Sequence, residues 1–308
     1  MRRRGLRLDG IVLLDKPAGL SSNAALQRVK HLLGAAKAGH TGTLDPLATG
    51  LLPLCFGEAT KFAAGLLDAD KDYEALVQLG SATSTGDAEG EIIFRGEPTD
   101  VAQRIDSILE DLRGVQQQIP PMFSAIKHQG RPLYEYARSG QSIERASRPI
   151  TIHELTLVSC SKDVLQLRMC VSKGTYVRTV AEAIGERLGC GAHLRALRRT
   201  RVGPFSLAQS IALDQLEALS PDERVRRLER SDLMVAGLPR VDLDHARADA
   251  ICHGRAVQLA PAADGGLVRL YDSQGVFLGL GEIAGTGELI PKRLVDQANT
   301  KPALGFST

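Results

Sequence analysis

The segment Gly39-His40-Thr41-Gly42-Thr43-Leu44-Asp45-Pro46-Leu47-Ala48-Thr49-Gly50 holds one carboxylate and one imidazole five residues apart, with three glycines and one proline around them. A carboxylate fixed in place can attack covalently and split one hard step into two. Asp-Pro is also an ordinary turn signal, and a lone histidine is more often a satisfied structural residue. The breakers are too dense for a helix or a central strand. Apolar runs flank the segment on both sides. It reads as a rigid loop that presents Asp45 from a scaffold.

The elements that must hold this loop follow from periodicity. Asp9 to Pro17 reads as a short buried strand ended by Pro17. Ser21-Ser22-Asn23 offers helix caps, and Ala25, Leu26, Val29, Leu32 and Leu33 recur at helical spacing up to Gly34. Leu51-Leu52-Pro53-Leu54-Cys55-Phe56 fits a buried strand at a sheet edge, and Glu58 to Leu67 a helix. Lys71 to Leu79 alternates, with Tyr73, Ala75, Val77 and Leu79 on one face. Thr83 to Gly90 reads as a polar loop. Asp100-x-x-Gln103 predicts a capping box before the stripe Val101, Ile105, Ile108, Leu109 and Leu112. Pro149 to Val158 and Val164 to Val171 predict a hairpin. Gly174 to Thr179 leads into a helix with stripe Val177, Val180, Ala181, Ile184 and Leu188, ended by Gly189. Residues 214 to 232 read as helical. From about residue 238 the glycine-spaced short strands predict a second, small, mostly β module.

Composition sets outer bounds. The chain has 308 residues, 43% hydrophobic and 24% charged, with a net charge of +2. That suits one large core or two domains and does not announce nucleic acid. Basic residues nevertheless cluster at Arg2, Arg3, Arg4 and Arg7 and at Arg195, Arg198, Arg199 and Arg201; either cluster fits RNA contact or a solvated face. Between Phe123 and Ser147, Lys127, Arg131, Tyr134, Tyr136 and Arg138 interleave cations with aromatics, as in a surface that grips RNA or a solvated helix with tyrosine stems packed down. The five cysteines are irregularly spaced, which argues against a disulfide framework or zinc site and for a reducing cytoplasm. No apolar run approaches the roughly 20 residues of a membrane span.

The loop at 39–50 resembles the signature of the TruB family of bacterial tRNA pseudouridine synthases. Asp15-Lys16-Pro17-x-Gly19-x-Ser21-Ser22, Gly57-Glu58-Ala59-Thr60-Lys61, Lys173-Gly174-Thr175-Tyr176-Val177-Arg178-Thr179, Leu197-Arg198-Arg199-Thr200 and Pro291-Lys292-Arg293-Leu294 match the family's other motifs in order. The resemblance implies an α/β (α+β) fold of the pseudouridine-synthase type, with a mixed, largely antiparallel sheet and flanking helices. It implies a catalytic domain over 1–237 with an RNA-gripping insertion near 123–147, and a PUA-like RNA-binding domain over 238–308. The implied reaction isomerises the T-loop uridine, position 55 of tRNA, possible side by side with tRNA folding. The implied partner is the tRNA T-arm, met in the cytoplasm by a monomer without guide RNA, cofactor, metal or membrane.

The same resemblance gives roles. Asp45 matches the catalytic aspartate, and whether it attacks C1′, adds at C6 or supports a glycal-type intermediate stays open. Arg178 matches the arginine that keeps that carboxylate ionised against burial. His40 matches the histidine that fills the space left by the flipped base. Tyr73 matches the tyrosine that stacks on the base. Tyr176 and Leu197 match positions lining the base pocket. Lys16 carries no assigned role.

Overall fold

The computed structural model describes residues 5–259 and 265–296; Arg2, Arg3 and Arg4 lie outside them. Strand β1 (Gly10–Lys16) leads to helix α1 (Ser22–Leu32), short strand β2 (Ala38–His40), the Asp45 loop and strand β3 (Thr49–Phe56). A 3-10 turn over Gly57–Phe62 runs into α2 (Ala63–Asp68), then β4 (Lys71–Leu79). A hairpin of β5 (Ser81–Thr83) and β6 (Ile92–Arg95) precedes α3 (Val101–Leu112) and β7 (Gly114–Gln118). Next come β8 (Lys127–His128), β9 (Arg131–Pro132) and α4 (Leu133–Arg138). The hairpin β10 (Arg148–Ser161) and β11 (Val164–Val171) is followed by α5 (Val177–Leu188) and β12 (Ala192–Val202). Short pieces close the first part: β13 (Phe205–Ser206), β14 (Ile211–Ala212), α6 (Leu213–Ala218) and α7 (Pro221–Val225). The second part is β15 (Arg240–Asp242), α8 (His245–Cys252), β16 (Val257–Gln258), β17 (Gly266–Tyr271), β18 (Phe277–Ile283) and β19 (Glu288–Leu294).

Among the described residues the large sheet runs β14-β1-β3-β12-β4-β11-β10-β7, with β2 on β3 and β13 on β12. Its pairs are antiparallel except β1–β14 and β3–β12. It is the mixed, largely antiparallel sheet with flanking helices that the sequence predicts. Both faces of β1 are covered: Val12 and Leu14 join one core with α1, α3 and α5, while Ile11 and Leu13 join another with Phe62, Leu66 and Met234. That double burial is why its sequence is a continuous apolar run rather than an alternating one. Strand β4 faces the first core with Tyr73, Ala75, Val77 and Leu79, the alternating set. The second sheet, β15-β17-β18-β19-β16, carries its own small core around Leu270, Ile251 and Leu289. Leu280 and Val295 of this part reach into the core beneath β1 and β3. It is a β-rich C-terminal unit packed against the large sheet.

Gly50 makes the central β3–β12 contact. Its φ is +100°, and a Cβ there would stand 2.3 Å from the Arg199 carbonyl oxygen. Glycine therefore allows both the left-handed backbone and the close approach.

Several elements depart from their reading in sequence. The run 51–56 is not at an edge: β3 has β1 along one side and β12 and then β2 along the other. Pro53 is tolerated because it falls between the residues that meet β12 (Thr49, Gly50) and those that meet β2 (Leu54 to Phe56), where no second ladder needs its N–H. The ends of the signature segment are strand rather than loop, in β2 and β3. Asp100 forms no capping box: its φ is +54°, and its side chain accepts no cap hydrogen bond. Helix α3 is held instead by the buried stripe Val101, Ile105, Ile108, Leu109 and Leu112. Residues 214–232 are two short helices, split where the Ser220 cap and Pro221 start a new one, then a turn and a short bridge in which Glu229 pairs with Ile11, and from Ser231 the start of a 3-10 helix.

Candidate active site

The Asp45 loop is shaped by the strand and helix that precede it. The Lys16 side chain, 0% exposed, turns inward, and its ammonium donates to the carbonyls of Pro17 (2.8 Å), Leu20 (2.7 Å) and Pro46 (3.5 Å). Burial pushes its pKa down to about 8. Gly19 N–H donates to the same Pro46 carbonyl (2.8 Å). Ser22 Oγ accepts from Leu44 N–H (2.7 Å) and donates to Leu44 C=O (3.0 Å). On the other side Arg199, 1% exposed, donates to the carbonyls of Leu51 (2.8 Å) and Gly42 (3.2 Å). The motif from Asp15 to Ser22 thus clamps the residues on either side of Asp45.

Asp45 faces Arg178, with Nη2 3.0 Å from Oδ2. The Asp45 side chain remains 40% exposed, while that of Arg178 is 5% exposed. Arg178 is the second residue of α5 and is aimed by two carbonyl acceptors and a second carboxylate. Nη1 donates to Thr85 C=O (3.0 Å), Nη2 to Phe123 C=O (2.7 Å), and Nε lies 3.7 Å from Asp87 Oδ2. Asp87 is itself buried, and its Oδ1 accepts from Thr85 Oγ1 (2.5 Å) and Glu89 N–H (3.1 Å). Burial raises the Asp45 pKa above the usual carboxylate value; Arg178 opposes the rise and the Asp87 charge adds to it. One guanidinium is therefore shared by two carboxylates, of which only Asp45 meets the cavity.

That cavity, of about 340 Å³, lies over β12, β4 and the end of β11, beside the loop Gly42–Asp45. Asp45, Tyr73, Tyr176, Arg178 and Leu197 line it together. Tyr73 and Leu197 are each 9% exposed, and the Tyr73 hydroxyl makes no hydrogen bond among the described residues. Tyr176 is fixed through its backbone: Gln118 Oε1 accepts from its N–H (2.8 Å) and Gln118 Nε2 donates to its carbonyl (3.1 Å). His40 does not line the cavity. It ends β2, its Nδ1 is buried without a partner, and burial lowers its pKa with help from the Arg199 charge. The volume is that of a small-molecule site, and its lining sets Leu44, Val171 and Leu197 beside one carboxylate, Asp45, and several cationic side chains.

Two residues central to this geometry are not singled out by the sequence. Asp87 sits in the polar segment 83–90, and only the bridge to Leu194 on β12 reveals that it is covered. Gln118 ends a strand of three glutamines, one of which turns inward. The basic cluster at 195–201 is corrected. Arg198 pairs with Asp15 (2.7 Å), Arg201 with Asp72 (2.6 Å) and Arg199 is buried, which leaves Arg195 exposed. In the segment 123–147, Arg131 stacks on Tyr136 at 4.9 Å and Arg138 on Tyr134 at 5.5 Å, so its aromatics already carry cations. Among the described residues no cluster of three metal-ligating side chains forms, and no helix is long and apolar enough to cross a membrane.

Comparison with known proteins places this geometry. Residues 30–177 match the family model described as TruB family pseudouridylate synthase (N terminal domain). Residues 178–231 match the tRNA pseudouridylate synthase B C-terminal domain, and residues 239–295 the pseudouridine synthase II TruB C-terminal model. A tRNA pseudouridine synthase B of Aromatoleum aromaticum is 55% identical over 95% of this chain and 94% of its own length. One of Burkholderia mallei is 52% identical over 96% of this chain and 99% of its own. Among solved structures, a Cbf5-Nop10-Gar1 complex matches with a TM-score of 0.69 and 28% identity over 91% of this chain and 80% of the matched one. An H/ACA RNP bound to a substrate RNA shares the fold at TM-score 0.70 and 23% identity, over 98% of this chain and 93% of the matched one. Whole-length relatives at 52–55% identity and three successive domain models agree with one another: the chain belongs to the TruB family of pseudouridylate synthases.

Proposed function

We propose that this protein is a tRNA pseudouridine synthase that isomerises the T-loop uridine at position 55, acting alone, as a monomer and without a guide RNA. The observation that carries the reading is the Asp45 carboxylate, 3.0 Å from Arg178 at the floor of a cavity lined by Tyr73, Tyr176 and Leu197. The relatives named above are tRNA enzymes by name, which supports tRNA as the substrate. The division of labour is a catalytic domain up to residue 237 and a PUA-like RNA-binding domain from 238.

The reaction breaks the N1–C1′ bond, forms a C5–C1′ bond, removes the C5 proton and leaves a proton on N1. The atoms balance within the nucleotide. Asp45 supplies the nucleophile and must be ionised to do so. Arg178 offsets the cost of keeping it charged in a partly dry site. Tyr73 presents a ring for the flipped base and an unspent hydroxyl for proton transfer. Leu197 and Tyr176 shape the pocket and exclude water from the cleaved bond. His40 is assigned to the space that the base leaves in the RNA; its place on β2, outside the cavity, suits a residue that meets the rest of the loop rather than the base.

The test is incubation of purified protein alone with an unmodified tRNA, followed by mapping of pseudouridine. One modified position, in the T-loop, is expected. Conversion that requires an added guide RNA, or that falls elsewhere, overturns the assignment.

A further inference from the structure

Four cations line the cavity, and three are already committed. Arg178 is held by Asp45, Asp87 and two carbonyls. Arg199 donates to Leu51 and Gly42, and Lys71 donates to the carbonyls of Leu67 (2.7 Å) and Ala69 (2.5 Å). Arg148 is different. Among the described residues it makes no ion pair, and its one hydrogen bond runs from Nη2 to Gly174 C=O. Its Nε is buried without an acceptor. Nη1 has none either.

The surroundings hold this guanidinium in readiness. Arg148 opens β10 opposite Gln118 on β7, and its Cζ lies 5.4 Å from the centre of the Tyr176 ring. Gln118 fixes the Tyr176 backbone, so ring and guanidinium are positioned from the same strand pair. Gly174, at φ +80°, leaves room: a Cβ there would come within 3.3 Å of Arg148 Cζ. A second orphan stands on the cavity lining: Ser124, 5% exposed, has a buried hydroxyl without a partner. An unpaired buried donor costs about 1–3 kcal/mol and calls for a ligand to complete it.

We propose that Arg148 is a substrate-positioning residue that clamps a backbone phosphate flanking the flipped uridine, at the mouth of the cavity. This rests on the functional reading above and extends it to a second anchoring point. With the base against Tyr73 and Leu197, the nucleotide's phosphodiesters stay at the rim. A guanidinium fork matches phosphate oxygens in two-point geometry. Fixing the phosphate holds C1′ in register with Asp45, so the clamp contributes to reaction as well as to affinity.

The test uses a T-arm stem-loop and two analogues in which the phosphate 5′ or 3′ of the target uridine is a neutral methylphosphonate. Binding is measured across salt concentrations, alongside single-turnover pseudouridine formation, for wild type, Arg148→Met and Arg148→Lys. Neutralising one of the two phosphates should weaken wild-type binding about 10- to 100-fold. Arg148→Met should show that loss on natural RNA, be insensitive to the same analogue, and have a log–log salt slope lower by about one. Arg148→Lys, which keeps the charge and loses the fork, should fall between and remain sensitive; it carries the test if the Met variant folds poorly. Equal sensitivity of wild type and variants to both analogues, with unchanged salt slope, overturns the clamp. Failure of wild type to form pseudouridine on natural RNA would instead sink the functional reading.

Discussion

Ser22 Oγ grips both backbone groups of Leu44, accepting from its amide at 2.7 Å and donating to its carbonyl at 3.0 Å. One hydroxyl at the start of α1 thus fixes the peptide unit that leads into Asp45. Ser22→Ala leaves two buried backbone groups unpaired, at roughly 1–3 kcal/mol of stability. Conversion should fall more than RNA affinity does, because the loop loses position rather than contact. Urea unfolding and single-turnover assays check this; a variant with native rate would show that the clamp is redundant.

Asp45→Asn should abolish pseudouridine formation while leaving the fold intact. The direction of the stability change follows from linkage. The folded-state pKa of Asp45 is raised, so the folded protein holds that proton to higher pH than the unfolded chain does. The stability contributed by the protonated form is present below the ordinary carboxylate value and is lost as pH rises through the raised one. At neutral pH the charge is therefore a net cost, and the Asn variant should melt at the same temperature as wild type or slightly higher. The wild-type rate should decline with acid at a pH above the ordinary aspartate value; a rate flat down to that value contradicts the assignment.

Asp87→Asn should keep the hydrogen bonds from Thr85 Oγ1 and Glu89 N–H, yet remove the charge 3.7 Å from Arg178 Nε. Arg178 then loses one of its two carboxylates, and its plane is set by Asp45 and the two backbone carbonyls. The expected outcome is conversion slower by about 10- to 100-fold, with RNA affinity within a few-fold of wild type. A loss confined to affinity would place Asp87 in RNA contact instead.

Lys16 offers a test in the alkaline range. Its pKa is about 8 in the folded protein, against an ordinary lysine value near 10.4 in the unfolded chain. Between these values the unfolded state binds more protons, so the contribution of Lys16 to stability rises with pH. The penalty of Lys16→Met, measured by urea unfolding, should be larger at pH 10 than at pH 7.5. A constant penalty would mean that the buried amine is already neutral, or that it has no depressed pKa.

Gly50→Ala places a Cβ 2.3 Å from the Arg199 carbonyl oxygen at a backbone φ of +100°. Steric and conformational costs add, and a loss of at least several kcal/mol is expected. Thermal melting would detect it; a small shift would show that β3 and β12 can separate without consequence.

Much of this architecture is legible in the chain because each level agrees with the next. The alternation of Tyr73, Ala75, Val77 and Leu79 is the buried face of β4, and the stripe from Val177 to Leu188 is the buried face of α5, stopped by Gly189 at φ +82°. The TruB resemblance rests on residues that prove to touch one another: Lys16 and Ser22 on the Asp45 loop, Arg178 on Asp45 itself. What is hidden is burial that depends on distant partners. Arg199 carries the composition of a solvated cation but lies inside the sheet, on a carbonyl of a strand almost 150 residues earlier. Asp87 is polar, in a polar stretch, and becomes buried only when β12 covers it. At Asp100 the local code was right for a cap, and a left-handed backbone sent the side chain elsewhere.

Strand β12 sits between β3 and β4, both complete by Leu79, yet begins only at Ala192. A chain growing from its N-terminus therefore holds the outer strands of the catalytic junction long before the middle one exists. Leu197, Arg199 and the cover over Asp87 arrive together, in one insertion event. Folding of the site is governed by that late, long-range closure, the slow kind in sequence-separation terms. The lining that Leu197 and Arg199 give the cavity is thus incomplete until this one strand is in place.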